Sequence, residues 1–370
     1  MRVFRILFSG CDTILAVVAI VLSAVGLVTM YSYLGDHLYF DRQVIWIVVG
    51  LSVMLVASIP DYRFLRTSSI ALCAYGVSIF LLLAVFVIGD VTLGAQSRIN
   101  LGFFSLQPSD PAKLALIIVL AKYFSKRHVE IAHFRHIFVS GLYAGVIFVL
   151  LFIQPDFGSA LIVFCIWFGM VLVSGISLRH IALVALCGAL AFGLLWSVGL
   201  KDYQKQRITT FLNPLADRYG AGYNAYQSTI AVGSGQILGK GVGFGTQSKL
   251  RFLPEYETDF IFAAYAEEWG LVGAAVLFIL FCSMIGRILY HALRGPSNFE
   301  RLFCVGVAVF FISHFFIHVG INIGLLPVTG TTVPFLSYGG SHLVTEFLCL
   351  GIIMGMQKHP PHVAMHEVLA

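Results

Sequence analysis

The chain has 370 residues, of which 59% are hydrophobic and only 11% charged, with a formal net charge of +5 at pH 7. Its mean hydropathy is +0.91. Soluble domains carry about 25% charged residues, so this composition excludes a soluble globular protein and indicates an integral membrane protein. The apolar runs are continuous and do not alternate every second residue, which argues against a transmembrane β-barrel.

Long apolar segments predict the architecture. A helix needs about 20 apolar residues to cross the hydrocarbon core of a membrane. Ten segments meet this requirement, near residues 11–33, 43–59, 68–89, 109–124, 137–154, 157–175, 180–199, 259–283, 302–325 and 338–356. They leave no room for a separate soluble domain, so we predict that residues 1–370 form one all-α transmembrane domain with ten helices.

The distribution of Lys and Arg predicts the orientation of these helices. The longest polar interval is the loop 200–258, between predicted helices 7 and 8. Outside that loop, most of the cations in the connections fall on the side of the N-terminus. By the positive-inside rule, both termini are expected in the cytoplasm and the large loop outside it.

A lysine falls at the start of the fourth span, after the segment GFFSLQPSDPAK. Ser109 is suited to cap a helix there and Pro111 to occupy its first turn, which places Lys113 within the first turns. A cation at membrane depth is costly, so it has a partner or a function, or its side chain reaches back to the interface. The sequence leaves both interpretations open.

Asp156 lies in QPDFGSA, a polar interruption between two apolar runs. An Asp beside a Pro is suited to cap the helix that follows. The alternative is that Asp156 pairs with a cation such as Lys113 or faces a polar cavity. Either role is compatible with the pattern.

The large loop contains six glycines between residues 233 and 245. The segment is not a nucleotide-binding P-loop, because G-x-x-x-x-G-K-[ST] is absent, and no nucleotide is expected outside the cytoplasm. We predict instead a permissive backbone whose N–H groups meet phosphate together with Lys240, Lys249 and Arg251.

The loop ends in LRFLPEYETDF, which places three carboxylates where an apolar helix begins. If Pro254 opens that helix, Glu255 and Asp259 are four residues apart and share a face. An ionised carboxylate facing an outer cavity suits a general base or a ligand of Mg²⁺ or Mn²⁺. The alternative, a charge that only complements the helix dipole, is favoured for Glu257 but not for Asp259, which adjoins the apolar boundary.

Other polar residues lie within the later spans. We expect Glu267 and Glu268, two turns deeper in the membrane, to be buried structural supports, and His314 and His318 to make polar contacts between helices and not to bind a metal. The last outer loop, GLLPVTGTTVPFLSYGGSHL, is rich in Pro and Gly and is predicted to form a wall of the outer cavity.

Taken together, the motifs resemble the SEDS family (shape, elongation, division, sporulation). The resemblance covers nearly the whole chain and rests on GFFSLQPSDPAK, QPDFGSA, RITTFLNPLAD, GAGYNAYQS, GTQSKLRFLPE, TDFIF and GLLPVTG followed by PFLSYGGS. TFLNP, GTQS and GLLPVTG look more like the elongation (RodA) branch than the division (FtsW) branch.

The resemblance implies the activity and the partners. SEDS proteins of this type are peptidoglycan glycosyltransferases of the bacterial inner membrane, which polymerise lipid II outside the cytoplasm. A class B penicillin-binding protein supplies the transpeptidase, within an elongation complex of membrane proteins, and no nucleic acid is involved. The essential aspartate of the family maps onto Asp259, while Lys113, Asp156, Glu255 and Ser337 fall in the family's motifs as supporting residues.

This chain departs from the usual family pattern at three places. Glu257 stands where His usually precedes TD, DRYGAGYN replaces DP-x-G-x-GYN at 217–224, and His342 replaces the second Ser of SYGGSS. None of these changes removes the carboxylate of Asp259.

The hypothesis from the sequence is an inverting glycosyl transfer, with Asp259 as the base and undecaprenyl pyrophosphate as the leaving group. Two alternatives remain: a lipid II flippase, for which Lys113, Asp156, Glu267 and Glu268 would form a polar path, and a non-catalytic scaffold for a penicillin-binding protein.

Overall fold

The computed structural model describes residues 12–32, 38–92, 95–100, 102, 105–126, 134–175, 177–194, 196–197, 205, 209–211, 221–250, 252–253 and 255–358. Its longer elements are α1 (Thr13–Tyr31), α2 (Leu38–Ala57), α3 (Arg63–Thr67), α4 (Ile70–Ile88), β1 (Asp90–Thr92), β2 (Ala95–Asn100), β3 (Ser105–Leu106), α5 (Ser109–Ser125), α6 (Phe134–Ile153), α7 (Phe157–Val173), α8 (Leu178–Leu194), α9 (Ala221–Ser234), α10 (Thr246–Lys249), α11 (Ile261–Arg294), α12 (Asn298–Asn322) and α13 (Gly340–Lys358).

Each predicted span overlaps a helix: α1, α2, α4 to α8, and α11 to α13. Within the described residues, α1, α2, α4, α6, α11 and α12 are long and apolar enough to cross a membrane, and α7 and α8 are shorter apolar helices. The chain is therefore a helical, multi-pass membrane protein. One element differs from the all-α prediction, because a small three-stranded antiparallel sheet, β1–β2–β3, connects α4 to α5.

The centre of the bundle is α5. Every residue from Ala112 to Ala121 is at most 7% exposed, and α4, α7, α12 and α13 pack around this helix. Close approach depends on small residues: a Cβ at Gly306 of α12 would lie 2.6 Å from Ile117 Cγ2. Small residues at helix interfaces are the usual means of close packing in membranes.

Helix α11 is interrupted at Gly270, where φ is 65° and ψ is −162°. The loop after α9 fills the break: Leu271 N donates to Gln236 O at 2.9 Å, and Lys240 N donates to Glu267 O at 3.0 Å. The backbone N–H and C=O groups that lose their helical hydrogen bonds at the interruption therefore form hydrogen bonds with the loop. A Cβ at Gly270 would lie 2.3 Å from Gly239 N, so the joint requires glycine at this position.

Helix α1 shows how deep the interruption lies. At one end of α1, Arg287 Nε donates to Asp12 Oδ2 at 2.6 Å. At its other end, a Cβ at Gly243 would lie 3.6 Å from Ser32 O, and Gly243 N donates to Glu268 Oε1 at 2.9 Å. The 19 residues of α1 extend for about 28 Å. The part of α11 between Glu268 and Arg287 therefore already matches the length of a full span.

Glu267 and Glu268 thus lie at the end of the membrane-crossing part of α11, not two turns inside it. The sequence-based depth was wrong because it assumed one continuous helix through Gly270. The short segment 261–269 precedes the break, is buried from Ile261 to Glu268 and connects to Asp259. The prediction of buried supports is confirmed, since Glu267 is 0% exposed and pairs with Lys240 at 2.7 Å.

The interruption yields a prediction about stability. Gly270→Ala should destabilise the protein by more than about 1 kcal/mol, because the left-handed backbone and the close contact with Gly239 both oppose a side chain. The measurement is thermal unfolding of the purified protein in detergent. Gly286→Ala is the matched control, since a Cβ at Gly286 of the same helix meets nothing within 4 Å. Equal melting temperatures for the two variants would contradict the prediction.

Candidate active site

A cavity of about 430 Å³ opens at the end of the bundle where α5, α7 and α13 begin. Its charged lining residues come from separate parts of the chain: Arg42 on α2, Arg98 on β2, Asp110 and Lys113 on α5, and Asp259 before α11. The loop between α12 and α13 forms another wall, through residues 330–332 and 338–342, as the sequence predicted. Opposite charges from four segments thus share one polar space.

Lys113 is held in the cavity wall by a buried ion pair. Its Nζ donates to Asp110 Oδ1 at 3.2 Å, and both side chains are 2% exposed. The side chain therefore does not reach back to the interface, and its partner is Asp110, not Asp156. An ion pair this deeply buried is stable only when the remaining charges and polar atoms around it are also compensated.

A second pair continues this network into α13. His342 Nδ1 lies 3.2 Å from Asp110 Oδ1, and its Nε2 lies 2.8 Å from Glu346 Oε1. Glu346 is 0% exposed, and its Oε2 accepts a hydrogen bond from Phe335 N at 2.8 Å. Four ionisable side chains therefore form one buried chain, of which Asp110, Lys113 and His342 line the cavity and Glu346 does not.

The segment that carries Asp259 is fixed by hydrogen bonds from the end of α12 and from the loop that follows it. Asn322 Nδ2 donates to Asp259 O at 3.1 Å, while Asn322 Oδ1 accepts from Ala263 N at 3.0 Å. On the other side, Ser337 Oγ donates to Thr258 O at 3.0 Å. These contacts hold the backbone on both sides of Asp259, so its side chain is presented to the cavity from a fixed position.

Ser337 was predicted to bind or support the substrate. It is 3% exposed. Besides its bond to Thr258, its Oγ accepts from Val333 N at 2.8 Å. Its hydroxyl group is thus committed to two backbone contacts. Ser337 supports the loop that carries Asp259 and does not line the cavity.

Glu255 does not share a helix face with Asp259. Residues 255–260 form a turn, Glu255 has φ of 50°, and α11 begins only at Ile261. Glu255 is exposed, and Thr258 Oγ1 donates to its Oε2 at 3.1 Å. The prediction of a helix opening at Pro254 is therefore wrong, because the chain reverses in this turn first. Pro254 itself lies outside the described residues.

Asp156 caps α7, which confirms the simpler of its two interpretations. Its Oδ1 accepts a hydrogen bond from Ser159 N at 3.0 Å. Ser159, one turn later, lines the cavity, whereas Asp156 does not. The contribution of Asp156 is therefore to begin α7 at the level of the cavity.

The glycine-rich segment is fastened to α11 and contributes no lining residue to the cavity. Lys240 Nζ donates to Glu267 Oε1 at 2.7 Å, and Gly241 N donates to Glu268 O at 3.0 Å. Lys249 Nζ donates to Gly243 O at 3.4 Å. These groups are already bonded within the protein, which differs from the predicted phosphate contact. Arg251 lies outside the described residues.

His314 and His318 make the polar contacts expected of them, to a loop and not to another helix. Their Nδ1 atoms lie 3.2 Å from Thr332 O and 2.7 Å from Thr331 O. Within the part of the chain that the structure describes, no group of three or more His, Cys, Asp or Glu residues is arranged to hold a metal ion.

Two cations of the cavity, Arg42 and Arg98, were not predicted as site residues. Arg42 directly precedes the second predicted span, and Arg98 lies in the connection between the third and fourth. Asp110 and Asn322 were not predicted either, because their partners are remote in sequence or can be recognised only once α5 and α12 are placed. A signal was present for Arg98, since its loop ends in the same segment as Lys113.

Comparisons with known proteins agree with this architecture. A family model described as cell cycle protein, FtsW/RodA/SpoVE, matches residues 1–361. The chain is 35% identical over 363 residues to stage V sporulation protein E of Bacillus subtilis, covering 94% of this chain and 97% of that protein. It is also 35% identical over 357 residues to peptidoglycan glycosyltransferase MrdB of Escherichia coli K12, covering 94% of each.

Two solved structures are similar over most of their length. One, from a study of the structural coordination of polymerization and crosslinking by a peptidoglycan synthase complex, has a TM-score of 0.80 at 30% identity and covers 93% of this chain and 96% of that one. The other, rod shape determining protein RodA of Thermus thermophilus, has a TM-score of 0.70 at 29% identity and covers 93% and 95%.

The anchoring of Asp259 yields a second prediction. Asn322→Ala should lower the free energy of unfolding by about 2–4 kcal/mol, because it removes several hydrogen bonds and leaves the Ala263 N–H group buried without a partner. Thermal unfolding in detergent measures the effect. Asn298→Ala, in the first turn of the same helix, is the control and should change stability by less than about 1 kcal/mol. A loss no larger than that of the control would contradict the role given to Asn322.

Proposed function

This chain belongs to the FtsW/RodA/SpoVE family of cell cycle proteins, and from that premise we propose how its cavity acts. It is a peptidoglycan glycosyltransferase that polymerises lipid II into glycan strands, in agreement with the names of its relatives and with its structural neighbours. The observation that carries the proposed mechanism is that Asp259 and three cations line a single cavity.

Asp259 is the general base. It takes the proton from the 4-hydroxyl group of GlcNAc on one lipid-linked disaccharide. The oxygen attacks C1 of MurNAc on the other lipid from the face opposite the leaving group, so a C–O bond forms while the bond from C1 to the pyrophosphate oxygen breaks. Configuration at C1 is inverted, and undecaprenyl pyrophosphate leaves.

The cations of the cavity stabilise the negative charge of the leaving group. Arg42, Arg98 and Lys113 come from three separate elements and line the same space as Asp259. Negative charge increases on the pyrophosphate oxygen as its bond to C1 breaks. Fixed cations therefore stabilise the transition state more than the ground state. A glycosidase needs a second carboxylic acid to protonate its leaving group. With pyrophosphate leaving, one base is enough.

The donor set of the cavity also suits a divalent cation. Mg²⁺ is commonly held by one or two carboxylates together with phosphate oxygens of the substrate. Asp259 would hold such a Mg²⁺ or Mn²⁺ ion with the pyrophosphate, whereas Glu255 does not line the cavity. When bound, the ion would neutralise charge on the leaving group.

The proposed setting is the bacterial inner membrane, with all ten helices crossing it, both termini in the cytoplasm and the cavity at the extracytoplasmic face. The excess of cations on the side of the N-terminus supports this orientation. We further assign the protein to the elongation branch, with a class B penicillin-binding protein and elongation-complex membrane proteins as partners. The TFLNP, GTQS and GLLPVTG motifs support the branch.

The buried surroundings of α5 favour polymerisation over lipid transport. A flippase needs a polar path through the bundle, but below Lys113 the next residues, 114–121, are apolar and at most 7% exposed. The described part of α5 therefore closes the cavity at its inner end. A cavity open at one end suits a reaction between substrates that are already on that side.

The test of the base is polymerisation of fluorescent lipid II by the purified protein with its penicillin-binding protein. Asp259→Asn keeps the shape of the side chain but removes the base, and we expect the ladder of glycan strands to disappear. Asp41→Asn, an exposed carboxylate near the same end of the bundle, should leave the ladder intact. A normal ladder from Asp259→Asn would overturn the assignment of the base.

The test of the cations uses the same assay. Arg42→Ala and Arg98→Ala should each lower kcat/KM for lipid II by roughly 10- to 100-fold, since each removes a charge-assisted contact with phosphate. Arg179→Ala is the control, because Arg179 is exposed at the start of α8. Rates equal to the control for both cavity variants would show that the pyrophosphate is bound elsewhere.

A further inference from the structure

His342 stands between two buried carboxylates. The residue is 6% exposed, and its two ring nitrogens lie 3.2 Å from Asp110 Oδ1 and 2.8 Å from Glu346 Oε1. Asp110 is 2% exposed and Glu346 is 0% exposed. Each nitrogen of the ring therefore faces an oxygen that water does not reach.

This geometry suits a charged ring when both carboxylates are ionised. A neutral imidazole has one N–H donor, and its other nitrogen carries a lone pair. Between two ionised carboxylates, that lone pair would point at an anion in a buried environment. Only the imidazolium form places a positive charge beside both carboxylates while its Nδ1 donates to Asp110. With Lys113, it gives the chain of four residues two positive and two negative charges.

The other groups around His342 do not supply the missing charge. The ring of His314 lies 4.6 Å away, centroid to centroid, and its Nδ1 is 3.2 Å from Thr332 O, a contact in which a neutral ring donates. The remaining charged residues that line the cavity are Arg42, Arg98 and Asp259. They face the cavity space where the substrate is proposed to bind.

We propose that His342 is a positioning residue for glycosyl transfer, which as an imidazolium balances Glu346 and Asp110 so that Lys113 keeps its charge directed at the substrate pyrophosphate. The inference rests on the proposed role of Lys113 at the cavity wall. With a neutral residue at position 342, the buried chain carries a net negative charge behind the site for an anionic substrate. Both the binding and the turnover of lipid II then decrease.

A set of charge-matched variants tests this role. His342→Gln leaves the chain one positive charge short, and its carboxamide oxygen must face one of the two carboxylates. Adding Glu346→Gln removes that carboxylate and restores neutrality, while the new amide can still accept from Phe335 N. If charge balance matters, the double variant should have a higher kcat/KM and a higher melting temperature than His342→Gln alone. If the role of His342 is purely steric, the losses caused by the two substitutions should add.

The measurements are kcat/KM for fluorescent lipid II with the partner present, from about pH 6 to pH 9.5, and the melting temperature of each protein. We expect His342→Gln to lose roughly tenfold in kcat/KM and the double variant to recover to within about threefold of wild type. The wild type should lose activity at alkaline pH as the imidazolium loses its proton, and this loss should be absent from the double variant.

Three outcomes would overturn the proposal: a double variant that is slower than His342→Gln, one that melts at a lower temperature than His342→Gln, or an alkaline loss that is the same in the wild type and the double variant. Because rescue is also read in the melting temperature, a poorly folded single variant still gives a result. A well-folded wild type that forms no ladder would overturn the proposed function instead, and the order of melting temperatures would still decide the charge balance.

Discussion

The buried ion pair between Lys113 and Asp110 is the interaction on which this end of the bundle depends. A cation with 2% of its side chain exposed has left water, and an interior without a counter-ion would not accept it. The helix that carries the pair is also the centre of the bundle. The polar cavity is thus adjacent to the buried apolar part of α5, and one helix contributes to both.

Asp259 reaches this cavity by an indirect route. Its segment lies in a turn before a short helix, and it is tied by Asn322 to the end of α12 and by Ser337 to the last outer loop. The break at Gly270 then separates this short helix from the part of α11 that crosses the membrane. The carboxylate is therefore positioned by hydrogen bonds from the end of α12 and from the loop after it, and not by the direction of the membrane-crossing part of α11.

The sequence predicted the helices well because a membrane span leaves a long apolar run that needs no knowledge of its neighbours. It also identified Asp259 and the cavity wall formed by the last outer loop. It could not predict the break at Gly270, since a glycine within an apolar run has no local sign of a positive φ. It could not show that Lys240 pairs with Glu267, which lies 27 residues away. The phosphate contacts predicted for this segment stay a prediction.

The charge balance behind the cavity has a consequence for how this protein can change over evolutionary time. An ionised Glu346 is acceptable in the interior only while a cation faces it, so residues 342 and 346 form a unit even though each is an ordinary helix position in sequence. Homologues that lack the imidazole are expected to lack the carboxylate as well. A lineage that acquires the pair would gain the histidine first, because an isolated buried carboxylate is the more costly intermediate. Correlated substitution at these two positions would then mark a branch of the family in which the cavity is supported by charge and not by packing alone.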